Sequence, residues 1–315
     1  MTLHVILSAL VPVFFVLALG YAAGRLRIVE NHHVDALNAL VMDFALPASL
    51  LLATASAPRS EVIEQAPLFA IFGGVMLLLY LLWYFFQTRI SKISKAEASV
   101  QALTIAFPNL AGVGLPISSA VLGPKGMVPL AVALAAGSIL ISPLTLILLE
   151  LSSSKAQSDK TPTRQMLRAL RRALTKPVVL APAVGILLSL CDFKLDPIAT
   201  GSLSLMGQAA AGVALFLTGL ILSGQPFRLD WQVIGATAAA DVIRPLLAVA
   251  VVYFLPIAPE TAKMAILLAA VPSGFFGILF AVNYRMDSAE MGSMVTASTV
   301  VSIATLAVAI ALLFP

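Results

Sequence analysis

The sequence predicts an all-α membrane protein of ten transmembrane helices, five followed by five that run upside down relative to the first set. Three observations predict it. The 315 residues are 60% hydrophobic and 11% charged, with a mean hydropathy of +1.01. A water-facing domain carries about a quarter charged residues, so this surface suits lipid. The apolar residues come in blocks of roughly 20, enough to cross a bilayer as helix, and not in the alternating runs of roughly 10 that build barrels. Basic residues, finally, are sorted to one side of these blocks.

Taken in order, Leu3–Ala23 follows a Met-Thr-Leu-His start that lacks the basic run of a secretory signal, so it reads as a retained first helix. Val34–Ala53 and Pro67–Gln87 follow, then Ala98–Leu122 and Met127–Leu149. Pro177–Leu190 is the shortest, and Pro182 is expected to interrupt it. Ile198–Ser223, Trp231–Leu255, Ala262–Tyr284 and Met291–Phe314 complete the set. Residues 1–150 thus form one five-helix repeat and residues 177–315 a second, inverted one. Inverted repeats of this kind underlie many secondary transporters. No stretch outside the spans exceeds the linker 151–176, which leaves no room for a soluble catalytic or sensory domain.

Charge sets the orientation. With the N-terminus outside, the loops after odd-numbered spans are cytoplasmic and hold fourteen basic residues; the opposite loops hold only Arg59, Lys125, Lys194 and Lys263. The bias predicts N-out, C-out topology and supports an even number of spans. It also accounts for the net charge of +4 without nucleic acid. In the linker, Thr161 and Pro162 can open a helix with Met166, Leu167, Leu170 and Leu174 on one face and Arg164, Arg168, Arg171 and Arg172 flanking it. Such a helix would lie on the anionic leaflet; a solvated basic linker is the alternative.

The fourth and ninth spans hold equivalent places in the two halves. The fourth reads Ala106-Phe107-Pro108-Asn109-Leu110-Ala111-Gly112-Val113-Gly114-Leu115-Pro116, and the ninth Val271-Pro272-Ser273-Gly274-Phe275-Phe276-Gly277. Proline removes a backbone donor and clashes with the preceding turn, so neither can run as an unbroken helix. Unpaired backbone in lipid costs several kcal/mol per group and persists only where it lines a cavity or is otherwise satisfied. Half-helix N-termini carry partial positive charge and attract carboxylates, and Asn109 adds a neutral amide. Paired breaks at matching positions point to a midplane binding site; simple packing kinks are the alternative reading.

With these segments in hand, the chain resembles the auxin efflux carrier family over nearly its whole length. Leu37 through Ala48 carries the family's Asn, aromatic and Leu-Pro-Ala signature in Asn38, Phe44 and Leu46-Pro47-Ala48. Pro108-Asn109 through Gly114-Leu115-Pro116 is similar to its first crossover, Ala214-Leu215-Phe216-Leu217-Thr218-Gly219 to its seventh helix, and Val271-Pro272-Ser273 with Phe280-Ala281 and Tyr284 to its ninth. The wording of Val41–Ala48, Ala214–Leu222 and Gly274–Gly277 looks most like the malonate-carrier branch. The resemblance implies the fold of bile acid:sodium symporters, with helices 1, 2, 6 and 7 as a scaffold and helices 3–5 and 8–10 as a transport domain moving like an elevator. It implies a small carboxylate as substrate, a bacterial inner-membrane location, homodimers through the scaffold, and a site lined by Pro108, Asn109, Pro116, Pro272 and Ser273. One departure is the single proline of the ninth span, which predicts that the second crossover is less completely unwound and puts the roles of Gly274 and Gly277 in doubt.

Three ionisable residues fall inside spans: Asp43, Asp241 and Arg244. They lie roughly 13–20 Å from their cytoplasmic ends at about 1.5 Å per residue, where isolated charges are costly. Asp241 and Arg244, three apart, are placed to pair on one helix. Arg244 is read either as a carboxylate ligand or as half of a structural pair. Asp241 and Asp43 are ion-coupling candidates, with local hydrogen bonding to Asn38 or near Pro47 the alternative for Asp43. The substrate-binding set is then Pro108, Asn109, Gly112, Gly114, Pro116, Pro272, Ser273, Gly274 and Arg244. The hydroxyl run Ser293, Thr296, Ser298, Thr299 and Ser302 reads as packing glue or as lining for the site. No resident cofactor or metal is expected: Cys191 is alone, and His32-His33 lacks ligand spacing. A coupling proton or Na+ is left open. A phosphate loop for ATP is absent, and an intramembrane enzyme would have to use Asp43 and Asp241 without the motifs such enzymes carry.

Overall fold

Proline accounts for most departures from plain helix in this chain. The structure, a computed structural model, describes residues 2–30, 34–152, 167, 171 and 175–314, and among them all regular structure is helical. We number the main helices α1 (Thr2–Arg25), α2 (Val34–Ser56), α3 (Ala66–Phe86), α4 (Lys95–Ala106), α5 (Leu110–Leu122) and α6 (Met127–Leu149). Then come α7 (Pro177–Leu190), α8 (Pro197–Ser223), α9 (Trp231–Phe254), α10 (Pro259–Ala269), α11 (Phe276–Asn283) and α12 (Ala289–Leu313). Seven of the described helical stretches are long and apolar enough to cross a membrane.

Four helices carry a widened turn that ends one residue before a proline. The N–H of Leu46 reaches back five residues to Val41, that of Leu115 to Leu110, that of Ser142 to Gly137 and that of Arg244 to Ala239. Pro47, Pro116, Pro143 and Pro245 follow directly. An extra residue in the turn swings the carbonyl four positions back, which the proline would strike, clear of the ring. The chain therefore stays helical where a kink or stop would otherwise form. Pro182 corrects the expectation for the sixth span in the same direction: α7 runs unbroken from Pro177 to Leu190 with Pro182 inside it. So near the N-terminal end, the proline removes a single ladder bond, to Val178, and the helix continues.

The most extensive helix pairings join α1 to α8 and α2 to α7. Small residues allow both. A Cβ on Gly20 would sit 2.0 Å from the Phe216 carbonyl oxygen, one on Gly219 2.0 Å from that of Leu17, and one on Gly185 2.0 Å from Thr54 Oγ1. Backbones approach this closely in lipid because small residues at the contact replace a hydrophobic driving force with packing. Bulky apolar side chains point outward, among them Phe15, Leu82, Leu246, Val300 and Leu312. In water such a surface would be an aggregation liability; facing acyl chains, it is the expected exterior of a multi-pass membrane protein. His32, His33 and most of the predicted linker helix, from Thr161 and Pro162 through Met166 and Leu174, lie outside the described residues.

Candidate functional site

Both predicted breaks are present, and they cross. Helix α4 stops at Ala106, and Phe107 is extended, with φ −98° and ψ 102°, the region a following proline imposes. Asn109 then opens α5, its side-chain Oδ1 accepting from the Gly112 N–H at 2.9 Å. Opposite, α10 ends at Ala269 and α11 begins at Phe276. Between them Pro108 and Ser273 pair as an antiparallel bridge. The Asn109 N–H donates to the Pro272 carbonyl at 2.8 Å, and the Gly274 N–H to the Phe107 carbonyl at 3.0 Å. Each unwound segment thus satisfies main-chain groups of the other, which removes part of the penalty for breaking helices away from water.

The second break corrects the sequence reading. It spans residues 270–275 against 107–109 in the first, so it is the longer one. The reason is that Pro116 falls inside α5, behind its widened turn, and breaks nothing. Gly274 has a definite part: a Cβ there would lie 2.6 Å from the Phe107 carbonyl oxygen and 3.3 Å from Pro108. Only a glycine lets the two strands pair. Gly277 packs the same way on α4, where a Cβ would meet Thr104 Oγ1 at 1.8 Å.

The two charges of α9 grip this crossover from either side. Arg244 is fully buried, and its three hydrogen bonds all go to main-chain carbonyls: Nε to Ala269 at 2.9 Å, and the two terminal nitrogens to Ile105 and Val271. Ile105 belongs to the last turn of α4; Ala269 and Val271 are the last residue of α10 and the break just after it. Those ends carry orphan carbonyls and partial negative charge, which a planar cation with forked donors satisfies. Asp241 serves the opposite polarity. Its Oδ1 accepts from Ser298 Oγ at 2.9 Å, and that oxygen accepts the Ser273 N–H at 2.8 Å. Asp241 Oδ2 is buried without a hydrogen-bond partner. The predicted direct pairing of Asp241 with Arg244 is not made, because the widened turn Ala239–Ile243 rotates the two out of the i, i+3 register. Ser298 is the one hydroxyl of its run tied to the crossover; Thr296, Thr299 and Ser302 bond back to their own helix.

Asn109 is only 2% exposed, and its Nδ2 donates to Thr218 Oγ1 of α8 at 3.3 Å. Gly112 is wedged beside them, since a Cβ would come within 2.7 Å of both side chains. Gly114 instead packs on Leu110 and Leu130. Thr218 was not singled out as a site residue; only its place in the seventh-helix wording marked it. Beside the crossing, Phe276 meets the Phe107 ring at a tilt, 5.1 Å between centroids, and stacks with Phe275 at 5.4 Å.

Beyond Phe276 lies a cavity of about 210 Å³ whose polar lining is Asn38, Asp43, Ser138, Ser142 and Lys176. It opens between α2 and the start of α7 on one side and α6 and α11 on the other. Asp43 is exposed to it, no hydrogen bond joins it to Asn38 among the described residues, and Asn38 Oδ1 is buried without a partner. Lys176, which composition and spacing did not flag, precedes α7 outside the membrane span. Partial desolvation of its ammonium draws its pKa below the ordinary lysine value, and the Asp43 carboxylate opposes that shift. The structure does not bring Asp43 and Asp241 together: the first faces this cavity, the second is buried against Ser298.

Residues 5–310 match the family described as Membrane transport protein. The Escherichia coli K12 protein named "Uncharacterized transporter YfdV" is 28% identical over 280 residues, 88% of each chain. A Rhizobium meliloti protein named "Putative malonate transporter" is 23% identical over 310 residues, covering 95% of this chain and 93% of its own. The Arabidopsis thaliana protein "Auxin efflux carrier component 8" is 23% identical over 335 residues, 90% of each.

Proposed function

Because the chain belongs to this membrane transport family of auxin efflux carriers, we propose that it is a secondary carrier that moves a small organic anion by alternating access at the crossover. One observation carries the reading: two broken helices cross back to back, with Asn109 and the leading turns of α5 and α11 at the crossing. At α5 the N–H groups of Leu110, Gly112 and Val113 are already taken by Pro108, the Asn109 side chain and the Asn109 carbonyl. The partial positive charge that suits a carboxylate is therefore offered chiefly by the Asn109 amide and the leading turn of α11. A net cost or gain follows from what Asn109 does now. Its neutral bond to Thr218 is worth about 0.5–1.5 kcal/mol, whereas a bond to a carboxylate is worth about 1.5–3 kcal/mol. An arriving anion therefore outcompetes Thr218 for the amide.

The same exchange couples binding to movement. We assign α1, α2, α7 and α8 to a scaffold and the remaining helices to a moving unit, a division supported by the close α1–α8 and α2–α7 pairings. The Asn109–Thr218 bond crosses between the two units, and so does the cavity with Asp43 and Lys176 on one wall and Ser138, Ser142 and Phe276 on the other. Substrate releases the first and slides along the second. Ten spans in a 5+5 inverted arrangement, N-out and C-out in a bacterial inner membrane, complete this picture, with dimers through the scaffold. For the substrate, the wording of the signature segments favours malonate or a similar short dicarboxylate, with other weak acids and monocarboxylates as the competing class.

The test is a thermal-shift screen of the purified protein against C2 to C6 mono- and dicarboxylates, with and without Na+ and at two pH values. At a hundredfold excess over Kd a bound ligand adds about 2.7 kcal/mol, or a rise of roughly 5 °C. At least one short carboxylate is expected to stabilise saturably; a flat response to the whole set would overturn the assignment.

A further inference from the structure

We infer that Arg244 is a tethered substitute for a coupling cation: its guanidinium holds the crossover carbonyls that a Na+ ion would otherwise bind, so this carrier works without Na+ there. The inference rests on reading the crossover as the transport site. Carriers built from broken helices use half-helix C-terminal ends and unwound carbonyls to coordinate Na+, because those ends carry orphan oxygens and partial negative charge. In this chain the corresponding carbonyls are Ile105, Ala269 and Val271, and all three accept from Arg244.

Three features make the substitution permanent. The side chain is fully buried, and arginine stays protonated in any such setting, so the charge neither leaves nor switches off. A second cation within about 4 Å of it would be disfavoured about a thousandfold at an effective dielectric of about 20. The counter-charge is already supplied: Asp241 sits one widened turn away and is tied through Ser298 to the Ser273 N–H of the same crossover. Remove the guanidinium, and what remains at its place is three free main-chain carbonyls, with the negative charge of Asp241 on the same helix. Converging main-chain carbonyls near a negative charge are the ligands broken-helix carriers offer a monovalent cation. Arg244 thus acts as a positioning residue, through the main chain of α4 and α10, and not on substrate.

The experiment measures thermal stability of the purified full chain at constant ionic strength in NaCl, KCl or choline chloride. Wild type is expected to differ by less than about 1 °C between these salts, while Arg244→Ala loses roughly 5–10 °C in choline. At least half of that loss should return with Na+ or with low-millimolar methylguanidinium. A purely structural arginine would give the loss without the cation-specific rescue, so a folded Arg244→Ala that ignores both cations overturns the inference. Saturable stabilisation of wild type by Na+ overturns it as well. Should Arg244→Ala not survive purification, Arg244→Lys assayed at pH 6, where the buried ammonium stays charged, is expected to fold and stay indifferent to Na+; a Na+-dependent Arg244→Lys protein at that pH refutes the idea. None of these arms contains a carboxylate, so an absent carboxylate response in the ligand screen sinks the transport reading separately.

Discussion

Gly274→Ala is the sharpest perturbation of the crossover. The added methyl carbon would lie 2.6 Å from the Phe107 carbonyl oxygen and 3.3 Å from Pro108. Both neighbours are backbone, so no side chain can turn aside. To relieve the overlap the strands must separate, which breaks the 3.0 Å bond from the Gly274 N–H to Phe107. Overpacking of this kind costs about 1–3 kcal/mol, and a buried donor left unpaired costs about 1–3 kcal/mol more. The sum, about 2–6 kcal/mol, corresponds to a fall of roughly 5–10 °C in Tm for a chain of this size. Gly74→Ala is the control, because a Cβ at Gly74 meets nothing within 4 Å. The assay is differential scanning fluorimetry of both variants, followed by carboxylate uptake in proteoliposomes. Gly274→Ala should be destabilised and inactive, and Gly74→Ala close to wild type. If the two variants match in Tm and uptake, the strands do not pair as described.

Other outcomes follow from single contacts. Thr218→Val removes the hydroxyl that competes for Asn109 Nδ2; losing a bond worth about 1 kcal/mol should tighten substrate binding by up to about fivefold, readable as a lower Kd. Asp43→Asn withdraws the carboxylate that supports the Lys176 ammonium. Its pKa should fall further below the usual value, so at fixed pH near 9 more of it is neutral. Peptide-resolved acylation of Lys176 should therefore quicken, and unchanged labelling would place Asp43 out of its reach. Cys191 is the only cysteine and is exposed at the end of α7. With the N-terminus outside and ten spans, an impermeant maleimide should label it from the outer face of spheroplasts; labelling only after lysis would reverse the topology.

The sequence made the breaks legible because their cause is local: Pro108 and Pro272 each remove a donor, and no environment restores it. How far each break extends was not legible. The six-residue gap before Phe276 is set by pairing with Phe107–Asn109, a tertiary event that a proline count misjudged. Helix-internal prolines misled in the same way. Pro182 leaves α7 unbroken, while Pro116 and Pro245 follow widened turns, and nothing in their immediate neighbours separates these outcomes. The turn before Pro245 explains the largest error at the site. Asp241 and Arg244 stand at a spacing that pairs them on a regular helix, yet the extra residue in the turn sends one to Ser298 and the other to three carbonyls. Asn109 could be chosen from sequence because it follows the first proline. Thr218 and Lys176 could not, since each enters only through contact with a distant helix.

Binding of labelled C3 dicarboxylate to purified wild type and Asn109→Asp protein is the most direct measurement of whether this crossover holds an acid. Aspartate preserves the side-chain oxygen that caps α5 at the Gly112 N–H, so the fold should survive, but it replaces the amide donor with a negative charge. Wild type should bind saturably, and Asn109→Asp should stay folded with α5 capped, its Tm lowered by the cost of a charge at a buried position, about 2.5–3.5 kcal/mol or roughly 5 °C, while losing binding by at least about a hundredfold. Equal binding by both proteins would contradict the account.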